Sequence, residues 1–114
     1  MKDIKNMTNK CVIAIDFDDT ITKPSIFPTM GEIRPEAVEV IKMLKERYTL
    51  ILWTCREGLF LKEAVDALLN CGIKFDYINE CPQKTRKVVA DIYIDDRAFG
   101  GCVDWDTIKN ELLK

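Results

Sequence analysis

The stretch VIAIDFDDTIT, residues 12–22, decides the fold, because a short apolar run leads directly into three closely spaced aspartates. Four apolar residues in a row, 12–15, are typical of a strand that is buried on both faces of a parallel sheet. Asp16, Asp18 and Asp19 follow where that strand ends. So much charge beside a core strand destabilises a fold unless a cation neutralises it. The stretch therefore predicts a buried strand with an acidic site at its carboxyl end.

The composition indicates one small globular domain, which we expect to span residues 1–114. Its 47% hydrophobic and 32% charged residues are ordinary for a folded protein and exclude extended disorder. The net charge of −2 gives no bulk electrostatic reason to expect nucleic-acid binding. Residues 1–10 are polar and unlike a secretory signal, and no segment approaches the roughly 18 apolar residues of a membrane span.

The chain has no histidine, and its five cysteines form no C-x-x-C pair. An odd number of scattered cysteines predicts a reduced, cytoplasmic protein. Cys11, Cys71 and Cys102 are expected to be packing residues rather than nucleophiles. Without histidine, any catalytic acid, base or metal ligand must be Asp, Glu, Lys, Cys, Tyr or a backbone group.

Apolar patterns predict strands alternating with helices along the chain. The predicted strands are 11–15, 48–53, 75–78 and one within 88–94, and the predicted helices are 35–47, 58–70 and 105–113. Pro24, Pro28 and Gly31 predict a loop or flap at about 21–34. This order is typical of the α/β class, and we expect a three-layer α/β/α, Rossmann-like parallel sheet with helices on both faces.

Polar residues follow three of the predicted strands, and in parallel sheets ligands bind beyond such strand ends. The residues are Asp16, Asp18, Asp19 and Thr20, then Thr54, Cys55 and Arg56, then Asp95, Asp96 and Arg97. Three or four converging carboxylates need a divalent cation, and ligation by oxygen alone favours Mg²⁺. The alternative is that these aspartates cap the helices that follow each strand.

A carboxylate beside Mg²⁺ can attack phosphorus and form an aspartyl-phosphate. Phosphoryl transfer asks the protein mainly for positioning and for stabilisation of charge. The Thr54 hydroxyl can donate to a phosphoryl oxygen, and the basic stretch 84–87 either supplies a fixed positive charge or forms a solvated turn. Arg56 and Arg97 either contact a substrate phosphate or pair with a neighbouring aspartate.

An ordered set of four motifs resembles the haloacid dehalogenase-like (HAD) hydrolase superfamily. The set is DFDDT, a strand ending in Thr54, a lysine, and an apolar strand ending in Asp95-Asp96. The resemblance runs from about Cys11 to Arg97, most of the chain. It implies a HAD-like core and a Mg²⁺-dependent phosphatase, a phosphomonoester hydrolase that acts through an aspartyl-phosphate intermediate.

The resemblance implies a role for each matching residue. Asp16 matches the nucleophile, which is also a metal ligand. Asp18 matches the general acid/base, and its backbone carbonyl faces the metal in this family. Thr54 matches the residue that binds the phosphoryl group. The implied metal ligands are Asp16, Asp18, Asp95 and Asp96.

Two positions depart from the family pattern or leave a choice within it. Position 19 is usually glycine and is Asp here, and aspartate tolerates unusual backbone angles better than most residues. Lys87 matches the phosphate-binding lysine, with Lys84 as the alternative. Which of Asp95 and Asp96 ligates the metal directly stays open.

The short connections between the motifs leave room for a flap but for no cap domain, so the resemblance implies a minimal, capless member. Capless members generally have open sites that suit large substrates. A phosphoprotein, a nucleic-acid end and a small phosphate ester stay open as the phosphorylated substrate. Phe27 and Met30 in the flap are candidates to touch substrate or a partner subunit, which leaves a homo-oligomer open.

Other classes with similar residues fit less well. A receiver domain places its lysine last, whereas here the lysine precedes the final acidic pair. A cysteine-dependent phosphatase needs C-x₅-R, which no cysteine of this chain has. The alternative kept beside the phosphatase is a non-catalytic or weakly active Mg²⁺-binding module of the same fold, with a regulatory or interaction role.

Overall fold

The computed structural model describes residues 11–101 and 103–114. The predictions for the first ten residues and for Cys102 therefore lie outside the described residues. The strands are β1 Val12–Ile15, β2 Thr49–Leu52, β3 Tyr77–Ile78 and β4 Ile92–Ile94, and the helices are α1 Pro35–Lys45, α2 Gly58–Asn70 and α3 Trp105–Leu112. Each predicted element is present, with ends that differ from the prediction by a few residues.

The four strands form one sheet in the order β3-β2-β1-β4, and every pair is parallel. Ile15, the last residue of β1, lies between Leu52 of β2 and Ile94 of β4. The strand order reverses at β1, because β2 and β3 lie on one side of it and β4 on the other. The predicted α/β class with a Rossmann-like parallel sheet is confirmed, and the carboxyl ends of β1 and β4 adjoin at the reversal.

One face of the sheet carries the main core, which all three helices cover. Alternate strand residues such as Ile13, Leu50 and Ile94 point into it, and α1, α2 and α3 contribute buried side chains. Pro35 is the first residue of α1, where its missing N–H costs no hydrogen bond. Gly72, with φ +85°, follows the C-cap of α2, as the sequence predicts.

The other face of the sheet is covered by residues 79–91, which contain no helix. Ala14 and Ile51 from the sheet pack there against Cys81 and Val88. The predicted helix on this face is absent, because residues 79–91 have too few apolar residues at helical spacing to form one. The layer on this face is instead an irregular chain that leads into β4 and carries the basic stretch.

The flap residues form a short hairpin-like excursion between β1 and α1. Thr22 and Ile33 make an isolated antiparallel bridge, and the Lys23 N–H donates to the Glu32 carbonyl at 2.8 Å. Gly31 is required at the base of the hairpin, because a Cβ there would collide with the Lys23 carbonyl oxygen. Among the described residues, none of the helices is both long and apolar enough to cross a membrane.

Candidate functional site

The carboxylates of Asp16, Asp95 and Asp96 meet where β1 and β4 end. One oxygen from each lies within 4.8 Å of the others. The backbone sets this arrangement, because the Asp16 N–H donates to the Ile94 carbonyl at 2.9 Å and so continues the β1–β4 ladder by one residue. Three of the four predicted metal ligands are thus brought together.

Thr20 connects two of these carboxylates. Its Oγ1 lies 3.1 Å from Asp16 Oδ2 and 3.1 Å from Asp96 Oδ1, and it accepts the Asp96 N–H at 3.0 Å. Thr20 is itself buried, and its carbonyl accepts the indole N–H of Trp105 from α3. The strand pattern predicts Thr20 at the strand end but predicts no role for its side chain. Its place in DFDDT was the available signal.

The pKa of Asp16 is raised from 3.8 to about 8. Burial is the largest cause, followed by the hydrogen bond with Asp96 and the negative charge of Asp95, whereas the Thr20 hydrogen bond acts in the opposite direction. This raised pKa measures how poorly the cluster tolerates full ionisation when it has no cation.

The donor set fits Mg²⁺. The ion takes oxygen ligands at about 2.1 Å, so two ligands on one ion lie no more than about 4 Å apart. The three carboxylate oxygens are already within 4.8 Å of one another, so small side-chain adjustments would bring them onto one ion. Asp95 lines the open cavity beside the cluster, and its Oδ1 also accepts the Arg97 N–H at 2.9 Å.

The Asp18 carboxylate is paired with Arg56 and is not part of the carboxylate cluster. Arg56 Nε donates to Oδ2 at 2.9 Å and Nη2 donates to Oδ1 at 2.7 Å, a bidentate pair. Arg56 is only 1% exposed, while a quarter of the Asp18 side chain is exposed. The sequence left open whether Arg56 contacts a substrate phosphate or pairs with an aspartate. In the structure it pairs with Asp18.

Asp19 adopts φ 63°, a conformation that favours glycine. The sequence predicts that an aspartate here tolerates unusual backbone angles, and Asp19 adopts such angles. Its N–H donates to Thr22 Oγ1 at 3.0 Å, and its Oδ1 accepts the Ser25 N–H at 3.2 Å. Asp19 therefore fastens the flap to the loop that carries the site.

None of the clustered aspartates caps a described helix. The N-cap residues of the three helices are Arg34, Glu57 and Asp104. Residues 16–20 form a turn that leads into the flap and not into a helix. The capping alternative for the acidic residues is therefore excluded in the described part of the chain.

Thr54 and Lys87, the predicted phosphate-binding residues, do not line the cavity that contains the acidic residues. Thr54 Oγ1 accepts the Arg56 N–H at 3.1 Å, and the Thr54 N–H donates to Asn79 Oδ1. The Nζ of Lys87 lies 5.9 Å from the ring centroid of Tyr93. Lys84, the alternative lysine, is exposed on the same irregular segment.

A cavity of about 490 Å³ opens beside the carboxylate cluster. It is lined by Asp16, Asp18, Asp19, Ser25, Phe27, Cys55, Asp95 and Arg97. The sequence carries no local signal that Ser25 lines this cavity, because the position of Ser25 depends on how the flap folds back over the strand ends. Nucleophile and acid/base candidates thus share one open space with the flap.

No family model matches the chain, and no curated protein matches it. A solved structure described as that of "the conserved protein coded by locus from Bacteroides thetaiotaomicron" is 40% identical in sequence. It superposes with a TM-score of 0.83 over 92% of this chain and 91% of that chain. The two proteins belong to one family. The description of the conserved Bacteroides protein names no activity, so the relationship establishes the fold and leaves the chemistry to be argued from the site.

Without divalent cations, this member of the Bacteroides protein's family is expected to lose stability as the pH rises from about 4 to 8. Across that range the folded state holds a proton on Asp16 that the unfolded chain has released, so this contribution to stability falls steadily with pH and is gone above about pH 8. Thermal unfolding in EDTA at several pH values measures the effect. Excess Mg²⁺ should remove most of the loss, since it stabilises the ionised carboxylates.

The matched control is Asp16→Asn, whose stability in EDTA should depend less on pH. The comparison is needed because hydrogen bonds, above all that with the Thr85 side chain, lower the pKa of Cys81 to about 7. A lowered thiol pKa increases stability as pH rises, which is the opposite sign. Identical pH profiles of the wild type and Asp16→Asn would contradict the assignment of the effect to Asp16.

Proposed function

We propose that the protein is a Mg²⁺-dependent phosphomonoester hydrolase that acts through an aspartyl-phosphate on Asp16. The observation that carries the proposal is the convergence of the carboxylates of Asp16, Asp95 and Asp96 within 4.8 Å, with Asp18 in the same cavity. Carboxylates this close together repel one another when ionised, so a cation is needed to stabilise them. Oxygen ligands beside an open cavity suit Mg²⁺ together with a phosphate. The HAD resemblance points to the same chemistry.

In the first step, an Asp16 carboxylate oxygen attacks phosphorus. The new bond joins that oxygen to phosphorus, and the bond between phosphorus and the leaving oxygen breaks. The proposed role of Asp18 is to give a proton to the leaving oxygen, so that the product departs as an alcohol. When bound, Mg²⁺ would supply positive charge for the phosphoryl oxygens and for the ionised carboxylates.

In the second step, water cleaves the aspartyl-phosphate. Asp18 takes a proton from the attacking water, the new oxygen–phosphorus bond forms, and the bond to Asp16 breaks. Phosphate leaves, and both carboxyl groups return to their starting states. The overall reaction consumes one water for each ester and yields one alcohol and one phosphate.

The pairing of Asp18 with Arg56 is compatible with this role. A carboxylate offers about four lone-pair sites, and the two hydrogen bonds from Arg56 take one on each oxygen. Each oxygen therefore keeps a site for a proton, and a quarter of the side chain is exposed beside the cavity. Arg56 would fix the direction of the carboxylate rather than replace it as the acid.

Two further residues would bind the phosphoryl group. The oxygen of the Thr54 hydroxyl accepts a hydrogen bond from Arg56 N–H, so its own proton is available to a phosphoryl oxygen. Lys87 is exposed and has a long flexible side chain, which would have to leave the Tyr93 ring to reach the site. Mutation of Lys87 and Lys84 separately would decide which lysine serves.

A second candidate function is a Mg²⁺-binding module without turnover. The observation that favours it is the absence of both Thr54 and Lys87 from the residues that line the cavity. In that case Mg²⁺ binding would order the strand ends for a partner and release no phosphate. The main proposal also includes a phosphorylated substrate and a cytoplasmic location. The four described cysteines are free thiols, which is compatible with a reducing compartment.

The proposal is tested by the release of inorganic phosphate from para-nitrophenyl phosphate with Mg²⁺ and with EDTA. We expect turnover with Mg²⁺, loss in EDTA, and recovery when excess Mg²⁺ is restored. Asp66→Asn is the matched control, because Asp66 is an exposed aspartate of α2 outside the cavity. It should keep full activity.

Two outcomes separate the two candidate functions. Calorimetric Mg²⁺ binding without phosphate release from any of a broad set of phosphomonoesters would favour the non-catalytic module. Phosphate release that persists in EDTA would contradict the metal-dependent mechanism.

A further inference from the structure

The flap places an exposed aromatic ring inside the proposed catalytic cavity. Phe27 is 51% exposed and lines the same cavity as Asp16, Asp18 and Asp95. A half-exposed phenyl ring adds little to the core, yet it offers a large apolar surface to anything that enters the cavity.

The Phe27 ring is held by contacts on its other sides. The guanidinium carbon of Arg56 lies 5.3 Å from the ring centroid, and the Phe60 ring makes an edge contact at 6.1 Å and 63°. Arg56 Nη2 also donates to the carbonyl of Pro28 at 3.2 Å, which anchors the next residue of the flap. A ring that is fixed before binding loses little freedom when a ligand packs on it.

The side chain that supports Phe27 is also the one that orients Asp18. Arg56 is buried and donates two hydrogen bonds to the Asp18 carboxylate. The aromatic surface and the proposed acid/base are therefore fixed by one guanidinium. Asp18 would protonate the leaving oxygen, so that oxygen would lie beside Asp18. Because Phe27 lines the same cavity, the part of the leaving group next to that oxygen would lie within reach of the Phe27 ring.

The charges around the cavity restrict what those atoms can be. The described residues that line the cavity include four aspartates and one cation, Arg97. A leaving group with further negative charge would be repelled by the carboxylates. A neutral, flat ring meets no such penalty and gains the contact with Phe27.

We propose that Phe27 forms a leaving-group subsite, and that the substrates are phosphomonoesters whose leaving group carries a neutral aromatic ring. This inference rests on the proposed phosphatase function and names its substrate class. The reaction is the two-step transfer described above: the aromatic alcohol leaves with a proton from Asp18, and water releases the phosphate from Asp16. Phe27 takes no part in either transfer and acts on specificity alone.

The test compares benzyl phosphate with glycerol phosphate, since both release a neutral alcohol and benzyl phosphate alone carries an aromatic ring. We expect kcat/KM to favour benzyl phosphate by about tenfold in the wild type. In Phe27→Ala the ratio should fall close to one, and in Phe27→Leu, which keeps most of the volume, it should fall part of the way. Ile26→Ala is the control, because Ile26 is 86% exposed and does not line the cavity. It should keep the wild-type ratio.

A second readout is independent of turnover. With Mg²⁺ present, benzylphosphonate should bind more tightly than methylphosphonate by about tenfold in calorimetry, and Phe27→Ala should remove the difference. If esters are hydrolysed but neither ratio responds to Phe27, the subsite is wrong and the phosphatase stands. If nothing is hydrolysed, the proposed function fails, and equal binding of the two phosphonates would overturn the subsite as well.

Sedimentation velocity addresses a competing occupant of the same surface. We expect the wild type to sediment as a monomer, with Phe27 free to meet substrate. A dimer that dissociates in Phe27→Ala and in Ile26→Ala alike would mean that a second copy covers the flap, and this would overturn the subsite.

Discussion

Replacing Asp16 with asparagine is expected to lower kcat for phosphomonoester hydrolysis by about 10⁴-fold or more, because the amide cannot attack phosphorus. The fold should survive, since Asn keeps the shape of the side chain and removes one carboxylate from a crowded acidic cluster. Steady-state kinetics with para-nitrophenyl phosphate and Mg²⁺ measure the loss. Asp66→Asn should retain wild-type kcat.

The covalent intermediate gives a sharper form of this prediction. After a rapid acid quench, intact-protein mass spectrometry should find a phosphoryl adduct on the wild type and none on Asp16→Asn. Asp18→Asn should accumulate the adduct when the leaving group is para-nitrophenolate, because that group departs without an acid while hydrolysis still needs the base. An adduct on Asp16→Asn, or turnover within tenfold of the wild type, would show that another residue is the nucleophile.

The fold was largely predictable because the apolar runs and the residues that follow them act locally. Runs of apolar residues at 12–15 and 50–53 leave few alternatives to buried parallel strands. The carboxyl ends of parallel strands share one edge of the sheet, so the meeting of Asp16 with Asp95 and Asp96 followed from the strand assignment alone.

The partner of Asp18 could not be predicted with the same certainty, because it depends on a contact between distant parts of the chain. Arg56 lies 38 positions later, and an arginine after a strand fits a substrate contact as well as an ion pair. What decides between them is the burial of Arg56 among Phe17, Phe27 and the carbonyl of Pro28. That burial depends on how the flap packs, and no local pattern encodes it.

The position of the lysines was equally hard to predict from the sequence. The match of Lys87 to a motif rests on its order in the sequence, and order does not fix the path of an irregular segment. The burial of Cys81 and Val88 against the sheet sets that path, and the ring of Tyr93 then lies beside the Lys87 ammonium. Alternation of side chains along β4 predicts the face of the sheet on which Tyr93 lies. The exposure of its ring depends on how much of that face residues 79–91 cover, which alternation does not predict.

Replacing Arg56 with methionine is expected to lower the free energy of unfolding by about 3 kcal/mol, with a smaller loss if water reaches the partly exposed Asp18. Methionine keeps an apolar stem in the space but removes the bidentate pair and the contacts of the guanidinium with Phe17 and Phe27. Asp18→Asn should cost a similar amount, because it leaves a fully buried guanidinium whose remaining carboxylate partner is the Glu63 side chain, 3.7 Å from Nη1. Urea unfolding at neutral pH measures both.

The double variant distinguishes an ion pair from two independent losses. Once Arg56 is methionine, Asp18→Asn should cost little, so the two effects should fall short of additivity by about 1–3 kcal/mol. Lys62→Met is the control, since the Lys62–Asp66 pair on α2 is exposed and should contribute less than about 1 kcal/mol. Full additivity would contradict a coupled pair, and a change below about 0.5 kcal/mol in Arg56→Met would mean that the flap and Asp18 hold their positions without the guanidinium.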